Sequence, residues 1–158
     1  MNTPKTVRSV LFKLKDLGVS AALCGGWAEE AFGLISPREH KDIDLVVEAD
    51  DFLAIDRALE AGALQNEIAA KRFAHKRAFM FLDTLVEMYL VQHRADRKVT
   101  SFWGDTEYVW HDPLVSAVRL DGIIIRAVTP KNLLEFRRSH RAHQPWRWSD
   151  PGSLVNPI

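Results

Sequence analysis

The chain has 158 residues, enough for one compact domain that buries roughly two thirds of its unfolded surface. It is 47% hydrophobic, and its 21 Lys+Arg are balanced by 21 Asp+Glu, so no broad field draws it to nucleic acid or to a membrane surface. Cys24 is the only cysteine, which rules out an intrachain disulfide, and its place in an apolar run reads as a buried thiol. The N-terminal segment has no apolar signal core and no run reaches bilayer-spanning length; a cytoplasmic protein is expected.

Thr3-Pro4 reads as an N-cap followed by proline at the first helical position. Val7, Val10, Leu11, Leu14 and Leu17 then recur at helical spacing until Gly18. Residues 19–24 form a short apolar run ended by glycines, as in a buried strand, and 27–32 read as one or two helical turns before Gly33. A polar connection over 34–41 carries Pro37, Arg38 and His40. Residues 43–48 make a second strand, whose unbroken Leu45-Val46-Val47 predicts burial on both faces. Asp50-Asp51 caps a further helix with Phe52, Leu53, Ile55, Ala58 and Leu59 inward and Gly62 at its end. Alternation of strand and helix with short joints argues for an α/β unit.

Residues 73–82 and 85–91 read as a hairpin around Asp83-Thr84. Lys76 and Arg77, at its start, are expected at the surface, where such side chains usually lie. Glu87 is the exception on an otherwise apolar strand. An unpaired carboxylate is costly to bury, so it should face a cleft, a cation or a cationic side chain. The polar stretch 93–112 gives no firm strand, whereas 114–120 and 123–128, joined by Asp121-Gly122, form the clearest hairpin. Thr129-Pro130 opens a helix over 131–140 with Leu133, Leu134 and Phe136 inside. Residues 142–158 read as an irregular tail, and with no internal repeat or boundary the chain is expected to be one domain, 1–158.

The chemistry concentrates between residues 23 and 47. Gly25-Gly26, between a strand and a helix, lets backbone N–H groups approach a phosphate. Asp42 and Asp44 alternate along a strand and so share a face. Two carboxylates that close repel unless one is protonated or a cation lies between them. A divalent metal carrying a nucleotide's phosphates is such a cation.

Cys24-Gly25-Gly26-Trp27-Ala28-Glu29-Glu30, then Gly33, then Arg38-Glu39-His40-Lys41-Asp42-Ile43-Asp44-Leu45 resembles the small antibiotic nucleotidyltransferases, which modify lincosamides or aminoglycosides. They are part of the superfamily that includes DNA polymerase β. The resemblance implies the nucleotidyltransferase fold, an α/β (α+β) architecture with a mixed, mainly antiparallel sheet flanked by helices. It implies Mg²⁺-dependent transfer of a nucleoside monophosphate, AMP from ATP being the leading case, to a hydroxyl of a small molecule. Asp42, Asp44 and Glu87 would form the carboxylate cluster that holds the metal, with Glu87 as general base. Gly25, Gly26, Arg38 and His40 would hold the phosphates.

Two departures stand out. The phosphate loop is Gly-Gly where many superfamily members have Gly-Ser, and Glu87 stands where the antibiotic-modifying branch often has Asp. The extra methylene moves the base by about one bond length, enough to alter rate or substrate pose. No residue of the last helix is assigned a role: Lys131, Arg137 and Arg138 give no clean match. A homodimer built on apolar surface such as Trp103, Trp110, Trp146 or Trp148 would complete an acceptor pocket. No membrane or nucleic-acid partner is expected. The alternatives are nucleotidylation of a protein or RNA end, as in toxin–antitoxin systems, and a nucleotide-binding module without catalysis.

Overall fold

A computed structural model describes residues 2–143. Helix α1 (Pro4–Asp16) starts at Thr3, whose side chain accepts from the Thr6 backbone while Thr6 answers it in a capping box. Its Val7, Val10 and Leu14 are buried against strand β1 (Ala21–Cys24). β1 runs into helix α2 (Gly25–Ala31) with no intervening loop. The helix therefore starts two residues before its predicted beginning at 27, because Gly25 makes the corner at φ +59°. Strand β2 (Asp42–Glu48) and helix α3 (Leu53–Glu60) follow. The Asp51 carboxylate accepts the Leu53 N–H at 2.8 Å. Leu53, expected inside, is exposed, while Phe52, Ile55 and Ala58 are buried.

A single turn of 3-10 helix (Ala69–Lys71) leads into β3 (Lys76–Phe81) and β4 (Thr84–Arg94). Phe81 pairs with Thr84, so the turn is Leu82-Asp83, one residue earlier than predicted, with Leu82 at φ +53°. The polar stretch that gave no firm strand forms β5 (Arg97–Phe102) and β6 (Thr106–Trp110). The predicted hairpin is present as β7 (Val115–Leu120) and β8 (Ile123–Val128). The last helix, α4 (Pro130–His143), takes in the first two residues of the expected tail; positions 144–158 lie outside the described residues. Leu133 is buried as expected, but Leu134 is exposed.

The strands form one sheet in the order β6-β5-β4-β2-β1-β8-β7, with β3 also paired to β4. β2/β4 and β1/β8 are parallel and the other pairs antiparallel, the mixed, mainly antiparallel sheet that was expected. α2 packs on β1, β2 and α4. Ile43, Leu45 and Val47 are buried on the face of β2 opposite its two aspartates. No helix among the described residues is long and apolar enough to cross a membrane.

Two expectations about large side chains fail. Lys76 and Arg77, placed at the surface by composition, are 1% and 4% exposed. Arg77 donates from Nε and Nη2 to the Asp56 carboxylate at 2.7 and 3.1 Å, and from Nη1 to the Phe73 and Lys76 carbonyls. These bonds replace the water that burial removes. Trp110, offered as dimer surface, is 3% exposed. Its ring stacks on Phe136 and meets Tyr108 edge-on, so it serves this chain's own core. Trp103 packs edge-on against Phe73 and His75, and Trp146 and Trp148 lie outside the described residues.

Candidate active site

Three adjacent strands bring the acidic residues together. Parallel pairing of β2 with β4 sets Asp44 opposite Glu87, and antiparallel pairing of β1 with β2 sets Cys24 opposite Asp44. Residues paired across a sheet point to the same face. Asp42, Asp44 and Glu87 therefore all line one cavity of about 610 Å³, with Gly25 and Gly26 at its edge. A volume of that size suits a drug-sized ligand. Tyr89, Leu133 and Phe136 form its apolar wall, and Lys71, Lys76, Glu29 and Arg137 complete its lining.

The charges in the cavity are unevenly compensated. Burial pushes the Asp44 carboxyl up, and the Asp42 and Glu87 charges push it further, from 3.8 to about 7 despite Lys76 and Lys71. Burial acts on Glu87 in the same direction, but the Lys76 and Lys71 ammonium groups outweigh it and hold Glu87 below the usual carboxylate range. Lys71 donates to Glu87 Oε1 and Lys76 to Oε2. Burial draws Lys76 below its ordinary value, against the pull of Glu87. Burial followed by the Asp44 charge raises the Cys24 thiol, which is 2% exposed and stays protonated, as a buried structural cysteine does.

Asp42 and Asp44 fit a hard divalent cation. Both are oxygen donors on one face, and Asp44 is short of positive charge. Glu87 is differently placed, with a lysine on each oxygen. Among the described residues no three His, Cys, Asp or Glu side chains make a ready metal cage.

Gly25 and Gly26 are required by close approach. A Cβ on Gly25 would run into the Asp44 carboxyl, and one on Gly26 would lie 2.7 Å from His40 Nδ1. Arg38 and His40 do not line the cavity. His40 is buried, its ring 4.3 Å from that of Trp27 and its Nε2 2.8 Å from Glu30 Oε2. The Arg38 backbone N–H donates to the same Glu30 oxygen, and its guanidinium reaches out over Gly26. Glu30 thus anchors the connection that delivers β2. Asn2 secures the same segment: it accepts from Trp27 Nε1 at 3.1 Å and donates to the His40 and Asp42 carbonyls at 3.0 and 2.9 Å.

Sequence reasoning missed Lys71, Lys76, Glu29 and Arg137 as cavity residues. Arg137 of α4 pairs with the buried Glu29 of α2 and so joins the two helices at the cavity. The signal for Lys76 was its position an even number of residues from the hairpin turn, which puts it on the Glu87 face. Placing the turn one residue late slides it away from Glu87: with Leu82-Asp83 as the turn, Ala78 opposes Glu87 and Lys76 opposes Tyr89, one step along. Lys71 carries no sequence signal.

Solved structures share this architecture. Lincomycin-bound LnuA, a lincosamide antibiotic adenylyltransferase, superposes with a TM-score of 0.67 at 16% identity, covering 99% of this chain and 98% of that one. ANT(2'')-Ia in complex with adenylyl-2''-tobramycin gives 0.60 at 14% identity over 96% and 84% of the two chains. A putative nucleotidyltransferase from Thermotoga maritima gives 0.59 at 17% identity over 92% and 91%. At such identities the likeness is one of fold, and the fold is that of the nucleotidyltransferases. The sequence goes further: the model of the aminoglycoside-2''-adenylyltransferase family matches residues 6–144. The chain belongs to that family and is a nucleotidyltransferase enzyme. No curated protein sequence is significantly similar to it.

Proposed function

We propose that the enzyme transfers AMP from ATP to a hydroxyl of an amphipathic antibiotic carrying little positive charge, as lincosamides do. The observation that carries this reading is a cavity lined both by Asp42, Asp44 and Glu87 and by Tyr89, Leu133 and Phe136. Asp42 and Asp44 would hold Mg²⁺. Bound there, the ion supplies charge stabilisation to the triphosphate and to the departing pyrophosphate. Gly25 and Gly26, at the cavity edge, would meet the phosphates through their backbone N–H groups. Glu87 accepts the proton of the acceptor hydroxyl, whose oxygen attacks the α-phosphorus in line as pyrophosphate leaves. The apolar wall holds the acceptor's hydrophobic face and keeps water from competing.

The charge balance favours an acceptor with few amines. Four acids and three bases line the cavity. Glu87 is paired with Lys71 and Lys76, and Glu29 with Arg137. Once a divalent cation engages Asp42 and Asp44, little negative charge remains for a polycationic aminoglycoside.

The test is pyrophosphate release from ATP, GTP, CTP and UTP with Mg²⁺ against a panel of lincosamides and aminoglycosides, beside Asp44→Asn. Release that needs ATP and a lincosamide, and that vanishes in the variant, is expected. A triphosphate that binds without acceptor-dependent release across the panel refutes the antibiotic reading; a nucleotide added to a protein or RNA would replace it.

A further inference from the structure

Glu87 carries a cation on each oxygen, and a carboxylate so paired is a weak base. The two lysines are not equivalent. Lys76 is on β3, opposite Tyr89 of β4, and its side chain is 2% exposed. Lys71 sits on the single 3-10 turn before β3, and its side chain is 33% exposed. The turn is tied to β3 through the Ile68 N–H and Ala78 carbonyl at 2.8 Å, so the base of Lys71 stays beside the sheet while its long side chain can swing. Both lysines and Gly25 border the same cavity, so an anion entering it comes within reach of the more exposed ammonium.

We propose that Lys71 is a nucleotide-operated latch, moving from Glu87 Oε1 to the polyphosphate of the incoming triphosphate and thereby freeing Glu87 to act as base. This rests on the nucleotidyl-transfer reading above and deepens it. Before the nucleotide arrives, Lys71 compensates a carboxylate that would otherwise crowd Asp44. Afterwards the polyphosphate, with its higher charge, takes the ammonium and Lys76 alone steadies Oε2. Order follows from the device: the base is exposed only when the group to be transferred is in place.

The experiment measures binding of a non-hydrolysable α,β-methylene ATP with Mg²⁺, and steady-state kinetics, for wild type, Lys71→Gln and Lys71→Arg. Lys71→Gln is expected to weaken nucleotide binding about tenfold or more, the value of one charge-assisted contact. Its KM for the triphosphate should rise more than its kcat changes, and Lys71→Arg should recover most of the loss. Equal affinity in wild type and Lys71→Gln overturns the latch, as does a kcat loss at unchanged affinity, which would make Lys71 a fixed clamp on Glu87. A wild-type protein that binds no triphosphate overturns the nucleotidyl-transfer reading itself, a distinct result.

Discussion

Asp44→Asn should stabilise the metal-free enzyme while abolishing transfer. The Asp44 carboxyl is raised from 3.8 to about 7 by burial and by Asp42 and Glu87. Between those values the native state holds a proton that the unfolded chain has released. Stability is therefore full below the unfolded value, falls as pH rises towards 7, and levels off above it. At ~1.4 kcal/mol per unit, the wild type gives up on the order of 1–2 kcal/mol by pH 5 and on the order of 4 kcal/mol by pH 8. Asparagine keeps the shape and never ionises, so the variant escapes this loss. Urea denaturation of both proteins with a chelator present, at pH 5 and pH 8, measures it. The variant should be the more stable at pH 8, by a margin about 2 to 3 kcal/mol larger than at pH 5, and Mg²⁺ should narrow the margin by stabilising the wild type. A variant less stable than wild type at pH 8, or a margin that ignores pH, refutes the claim that Asp44 lacks compensating charge.

Arg77→Ala should cost ~1.5–3 kcal/mol in urea denaturation, because it removes the guanidinium's bonds to the Phe73 and Lys76 carbonyls and leaves Asp56 with Arg72 alone. Burial tends to raise Asp56, yet Arg77 and Arg72 hold it below its ordinary value. The contribution of this pair is thus present above the usual carboxylate range and fades as pH falls below it; a wild-type stability no more acid-sensitive than that of the variant would contradict this. Asn2→Ala removes the donors to the His40 and Asp42 carbonyls and the acceptor for Trp27. It should cost ~1–3 kcal/mol and lower kcat more than it raises the acceptor KM, read by denaturation and steady-state kinetics.

Much of the candidate site is legible along the chain because its parts are local. Asp42 and Asp44 share a face by strand alternation alone, and both line the cavity. Gly25 announces a backbone that other residues avoid, and the structure gives it φ +59° with the Asp44 carboxyl against it. Glu87 on an apolar strand was expected to face a cleft, a cation or a cationic side chain, and it lines the cavity with a lysine on each oxygen. His40, by contrast, stands in the motif but is buried between Trp27 and Glu30, a packing role that spacing does not reveal. Strands β5 and β6 stayed hidden because burial there does not follow polarity: Thr100 is buried and Val109 exposed, so no apolar alternation marks them.

By itself the sequence determined the elements up to β4, the closing hairpin and last helix, the shared face of Asp42 and Asp44, and the family, since each depends on neighbours within a few residues. The tertiary structure decided which charges share a cavity. The β2/β4 register sets Asp44 beside Glu87, the hairpin turn sets Lys76 one step from it, and helix packing joins Arg137 to Glu29. Those contacts span long stretches of chain, and a shift of one residue in a strand would send each side chain to the other face. Pairing over such distances is settled by the burial of the whole sheet and its helices, so no local pattern could specify it.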